Sequence, residues 1–258
     1  MTGGGATHIL ISEVKPAPDT LEFIEIYNPT CHDLSLATYF LTDMPSYSLL
    51  PSWGGAPPAP GLENAIVKFP DGETLASGET AVVAHDGGAL ADEFGMAPRF
   101  ALTNIGNSTG MEFVIYQGAK DMTILNVGEP ITLFEWDGER DLVLDVDIVI
   151  AGDAPPVARR LVAKQDVAPD GVEGPDSDTD PSSYLEETVT IPAMGTRETN
   201  AGSYQRIALE GEFEAAVGGN GVAGHDETGE DTRNTWEDTV ASPPTPGSVP
   251  LALAVSCP

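Results

Sequence analysis

Basic residues are what this chain has least of. Only 11 Lys and Arg stand against 41 Asp and Glu, a formal net charge of −30. Binding to a nucleic-acid backbone needs Lys and Arg to displace counterions, and docking on anionic lipid needs the same charge, so both roles are excluded. Lysine is restricted to Lys15, Lys68, Lys120 and Lys164. Cysteine is nearly absent too. Cys31 and Cys257 allow one disulfide and no paired-cysteine metal site. Long apolar runs are missing: Val249 to Val255, near the end, is far short of the roughly 20 residues that cross a bilayer as a helix. Catalytic signatures are missing as well, with no Gly-x-Ser-x-Gly elbow, no His-Glu-x-x-His and no P-loop. His8, His32, His85 and His225 are scattered, and His85-Asp86 alone specifies no chemistry.

What is present is a strand pattern. Apolar residues make up 41% of the chain, enough for a sizeable core, so the acidity does not imply disorder. Short β-rich runs recur at 8–14, 21–27, 39–41, 66–69, 80–84, 112–116, 131–136, 142–150 and 204–209, with Gly, Pro, Asn and Asp between them. Asp137-Gly138 is a hairpin signal between two of these runs. Helical periodicity is confined to one or two turns over 88–94. Many short strands separated by turn signals read as a sandwich or barrel. The acids are spread through both the first 163 residues and the remainder, which reads as a solvated acidic surface rather than a tail.

Three stretches depart from the pattern. Residues 45–61 form a Pro/Gly loop carrying Trp53, expected to pack over a sheet edge. Residues 166–200 are acidic and Pro-rich, and 218–233 are Gly-rich and acidic. A strand follows the second and Trp236 the third, so the chain reads as one elaborated domain over 7–247 with an acidic insertion at about 166–200 and a tail at 248–258.

The ordered motifs resemble a family. Ile9-Leu10-Ile11-Ser12-Glu13-Val14, then Glu22-Phe23-Ile24-Glu25-Ile26-Tyr27-Asn28-Pro29, then Asp33-Leu34-Ser35 and Tyr39-Phe40-Leu41-Thr42-Asp43 are similar to the opening of a lamin tail domain. Phe69 to Glu79, Ala81 to Ala84, Ile131 to Gly138, Ser203 to Arg206 and Pro244 to Gly247 continue the likeness to a terminal turn. The resemblance implies an all-β, immunoglobulin-like β-sandwich with long loop insertions, and a structural rather than catalytic role for its signature residues. The nucleic-acid contacts of nuclear lamin tails are not carried over, because the charge has the wrong sign. Bacterial proteins resembling this family often carry the domain beside a nuclease or other hydrolase, and little of this chain is left to hold one.

Metal binding is the sharper chemical expectation. Asp176, Asp178 and Asp180 alternate along the chain, and Glu187 falls where a helix–loop–helix calcium loop puts its bidentate acid. Pro181 stands where that loop needs Gly, and no helix flanks it, so the expectation is an irregular oxygen-ligand calcium site. Asn220, Asp226, Glu227, Glu230 and Asp231 offer a second set; a plainly solvated loop is the alternative for both. Cys31 and Cys257 either close one long loop, worth roughly 4–5 kcal/mol in the chain-entropy view, or remain two unrelated thiols. Trp53 is a candidate binding residue.

These expectations assemble into a non-catalytic, secreted or cell-surface module for adhesion, protein–protein interaction or extracellular assembly, calcium its one expected cofactor. Its partner would be a protein, extracellular matrix or cell surface, or a second copy, with neither nucleic acid nor membrane insertion. The Gly-rich start, running straight into a strand, is what removal of a leader would leave. The alternatives are an accessory to, or a cryptic form of, a metal-dependent hydrolase of nuclease or phosphoesterase type, and a carbohydrate-binding module using Trp53, Trp136 and Trp236.

Overall fold

A computed structural model describes residues 8–53, 64–117, 129–151, 163–187, 202–209, 227–230, 232–237, 242–249 and 253–254. The strands are β1 (Leu10–Lys15), β2 (Phe23–Tyr27), β3 (Leu34–Ser35), β4 (Tyr39–Thr42), β5 (Asn64–Lys68), β6 (Thr74–Leu75), β7 (Thr80–Asp86), β8 (Phe100–Thr103), β9 (Thr109–Gly110), β10 (Glu112–Gln117), β11 (Glu129–Glu135), β12 (Leu144–Ala151) and β13 (Tyr204–Gln205). One sheet runs β13-β1-β2-β7-β8-β9, the other β10-β5-β4-β11-β12, and β3 pairs with β6 apart from both.

Alternation explains the sandwich. Ile24 and Ile26 of β2, Val83 of β7, Leu41 of β4, Val67 of β5 and Leu133 of β11 point between the two large sheets and form the main core. The opposite faces are covered as well. Phe40, Ile66 and Phe134 turn outward under Tyr47, Val172 and Tyr184, in a second apolar cluster on the outside of the β4–β5–β11 sheet. Phe23, Val82 and Ala84 do the same on the other sheet, beneath Leu90 of helix α1 (Gly87–Phe94). Strands with apolar residues on both faces are therefore buried on both faces.

The expected hairpin at Asp137-Gly138 is there, Gly138 holding φ +84 between β11 and β12. The strand expected over 204–209 is shorter, only Tyr204–Gln205. The Pro/Gly loop is in part regular, with a 3-10 helix over Tyr47–Trp53. Four short strands, β3, β6, β8 and β9, were not predicted, and the last two join the first sheet. They pair in parallel, β7 with β8 and β8 with β9, and α1 supplies the crossover that a parallel neighbour requires. Gly88 packs closely in that crossover: a Cβ there would lie 2.2 Å from Nδ2 of the Asn104 side chain, which would have to swing aside, and the Gly88 amide donates to the Asn104 carbonyl at 3.0 Å.

Candidate functional site

The acids are not only a surface coat. Among the described residues, ten carboxylates lie buried (Glu13, Glu22, Glu25, Asp43, Asp141, Asp145, Asp147, Glu187, Glu227 and Glu230) against three buried bases, Lys15, Lys164 and Arg206. A buried carboxylate must be hydrogen-bonded, paired or protonated, so this surplus fixes how the interior is wired.

The first node gathers around Arg206. Its guanidinium reaches both oxygens of Asp147 at 2.9 and 2.7 Å and Oε1 of Glu230 at 3.1 Å, and Nε donates to the Ile11 carbonyl at 2.8 Å. The Trp236 ring lies 5.0 Å from the guanidinium carbon. Asp147 also accepts the Ile11 amide at 2.6 Å. One planar cation thus ties β1, β12 and the 227–237 segment together, using the fork geometry that only Arg has. Glu230 is pushed upward by burial, against the pull of Arg206.

The second node lies on the other side of β12. Lys164 donates through Nζ to Asp145 and to Glu187, and its backbone amide donates to Glu187 at 2.7 Å. Tyr47 donates its hydroxyl to Asp145 at 2.6 Å, while Tyr184 places its ring 5.8 Å from Nζ. Burial pushes the Glu187 carboxyl up to about 7 in spite of Lys164. The Tyr47 hydroxyl is pushed well up by burial and by the facing Asp145.

A register shift separates the two nodes. Phe134 faces Asp145 and Leu133 faces Asp147, so Val146 is an extra residue in the ladder. Without it, residues two apart would share a face. With it, Asp147 turns toward β1 and Asp145 toward Tyr47.

The third node has no cation among the described residues. Glu13 and Glu25 are register partners across β1 and β2. Glu13 accepts the Thr245 amide at 2.9 Å and the Ser203 hydroxyl; Glu25 accepts the Gly247 amide at 2.6 Å and the Ser12 hydroxyl at 2.7 Å. Pro244 to Gly247 is thereby laid across the sheet. Burial first, and the neighbouring Glu13 to a lesser degree, push Glu25 up to about 7. Nearby, the Tyr27 hydroxyl donates to the Leu253 carbonyl at 3.0 Å.

The residues singled out in the sequence fall in different places. Oxygens of Glu173, Asp176 and Asp178 approach within 4.8 Å of one another. Asp180 is outside that group, its amide donating instead to Asp178 at 2.9 Å, and the Asp178 amide donates to Asp176 at 3.0 Å. Those turns curl the segment so that Glu173, which the alternating template passed over, takes the third place. Burial, then the surrounding Asp141, Asp176, Asp178 and Asp180, raise the Glu173 carboxyl. Glu187 is not a companion of these acids, because Lys164 holds it in the core. Glu227 is buried, with His8 3.8 Å away, rather than displayed on an open loop. Asn220, Asp226 and Asp231 lie outside the described residues, as does Cys257. Cys31 is disulfide-bonded, and Cys257 is the sequence's one other cysteine. Trp53 is half-buried at the edge of the outer cluster around Tyr47.

A cleft of about 540 Å3 opens at the start of α1, lined in part by Gly87, Gly88, Asp92, Asn104 and Asn107. Asp86 caps the helix by accepting the Ala89 amide at 2.7 Å and also accepts from Asn104, so the helix end is already served by an anion.

Two facing, largely antiparallel sheets, sealed by buried acids rather than opened into a cleft of reactive groups, define an immunoglobulin-like β-sandwich. The Lamin Tail Domain family model matches residues 4–140, just over half of the chain, and the chain belongs to that family. Among solved structures, a DUF4876 family protein from Bacteroides thetaiotaomicron VPI-5482 is similar over 95% of this chain and 75% of that one, at 14% identity and a TM-score of 0.52. That likeness is one of fold. No curated protein matches the chain.

Proposed function

We propose that this protein is a non-catalytic, secreted or cell-surface β-sandwich module that binds other proteins in adhesion or extracellular assembly. One observation carries the reading: the titratable groups gathered inside the described structure tie segments to the sheets, while an edge strand displays two adjacent apolar side chains of the five large ones exposed among the described residues. Strand β10 pairs with β5 on one side and with no described strand on the other, and Phe113 and Val114 are 40% and 43% exposed. An edge of this kind accepts an extended segment as an added strand. The −30 charge selects a basic segment and opposes a second copy of the chain. The disulfide at Cys31 suits an oxidising compartment.

The test uses a synthetic extended peptide of alternating Lys and Val, followed by fluorescence anisotropy. Binding should weaken at least tenfold in Val114→Lys and fall with added salt. Equal binding by the variant, or concentration-dependent dimers of the chain in sedimentation velocity, would overturn the basic-partner reading.

Calcium belongs to the same proposal. Glu173, Asp176 and Asp178 supply converging carboxylate oxygens of the kind a hard cation takes. The melting midpoint should rise with millimolar calcium, fall in EDTA, and lose both responses in Asp176→Ala. A wild-type midpoint indifferent to both additions removes calcium from the account.

A further inference from the structure

The Lys164 node contains the parts of a condensation reaction. Lys164 and Asp145 are each 1% exposed and Glu187 is 6% exposed, beside the outer apolar cluster, from which Tyr47 and Tyr184 reach the node. Nζ of Lys164 touches Oδ2 of Asp145 on one side and Oε1 of Glu187 on the other. Tyr47 holds the second oxygen of Asp145, Oδ1, at 2.6 Å. In water an ammonium and a carboxylate stay charged and do not react. In a site closed to water, burial disfavours the ammonium, and although Asp145 and Glu187 outweigh it and hold the Lys164 proton, the direct contact with Glu187 gives that proton a path off Nζ.

From this geometry we propose that Lys164 and Asp145 join in an intramolecular amide, with Glu187 relaying the protons. Nζ passes a proton to Glu187 and attacks Cγ of Asp145. The developing charge on Oδ1 is met by the Tyr47 hydroxyl, a donor already in position. Glu187 delivers that proton to Oδ2, takes a second from the now cationic nitrogen and delivers it to the same oxygen, and the Cγ–Oδ2 bond breaks as Oδ2 departs as water. Two of the three ammonium protons leave with that oxygen and the third remains on the amide nitrogen. Glu187 ends as it began, and nothing is oxidised or reduced. Holding nucleophile and carbonyl side by side supplies effective molarities of about 10^5–10^8 M in well-oriented systems, which is why no external catalyst is invoked. Arg206 faces Asp147 in a comparable burial, but a guanidinium that keeps its proton cannot be the nucleophile.

The bond would fasten the 163–187 segment to β12 by a link that neither reductant nor salt can open. It does not depend on the partner role proposed above. The test is the intact mass of the full chain, reduced and denatured. It should fall below the sequence mass by one water, and tandem mass spectrometry of a digest should find the Asp145 and Lys164 segments in one branched peptide. Lys164→Arg and Glu187→Gln should each restore the full mass, and Asp145→Asn should lose ammonia in place of water. A wild-type chain at full mass, with Lys164 open to amine acylation after denaturation, overturns the proposal whatever the variants do. So does a water loss that persists in Lys164→Arg, since an Asp-Gly succinimide would then be its source.

Discussion

Asp145 and Asp147 sit two residues apart on one strand and are both buried, yet they serve opposite faces of the sheet through different cations. Asp147 meets Arg206, which donates to three partners in a fixed plane and keeps its charge at any working pH. Asp145 meets Lys164, a point charge on a flexible stem; burial disfavours its charge, and Asp145 and Glu187 outweigh burial and raise it above the usual lysine range. The Arg node is built to hold segments of the chain in register. The Lys node is built from similar pieces around a base that, unlike a guanidinium, can serve as the nucleophile the proposed amide requires. The difference between holding and reacting comes down to which base stands opposite an acid of one strand.

The largest effect should come from breaking the Arg node. Arg206→Met leaves Asp147 and Glu230 buried without a cation, which costs about 3–5 kcal/mol. Urea unfolding should show that loss, and the variant carrying Asp147→Asn as well should recover part of it. A loss under about 1 kcal/mol would mean that the node is open to water, and the contrast with Lys164 would fail. A smaller effect comes from the node with no cation among the described residues. Glu25 binds its proton more tightly folded than unfolded, since burial lifts it from 4.5 to about 7. Its stabilising contribution is complete below about pH 4.5 and is lost as pH rises through about 7. Glu25→Gln should therefore gain about 1–3 kcal/mol over wild type at pH 8 and nothing at pH 4, read by urea unfolding at both. Parallel wild-type and variant pH profiles would show that Glu25 keeps its charge in the fold.

Much of the sandwich was legible in the sequence because alternation is local. The runs at 21–27, 80–84 and 131–136 became strands with their apolar residues where period two puts them. The parallel strand β8 was not legible. It is four residues long, and its pairing is imposed by α1 rather than by its own pattern. The nodes were missed for a related reason: an acid at alternate positions of a strand reads as facing water. The signal available was Leu142-Val143-Leu144-Asp145-Val146-Asp147-Ile148-Val149-Ile150, two charges set deep in an apolar run. In a chain so poor in bases, Lys164 and Arg206 were the natural partners to seek. Nothing in spacing alone revealed the extra residue at Val146. The acidic segment at 173–180 was legible as a cluster, but its turns decided which three acids converge.

Tyr27 closes onto a carbonyl 226 positions further along the chain. During synthesis at about 5–20 residues per second, β2 would leave the ribosome roughly 10–45 s before the segment that covers it. The patch of sheet around Tyr27 waits uncovered through the interval, and so a stretch translated far downstream finishes one of the first strands.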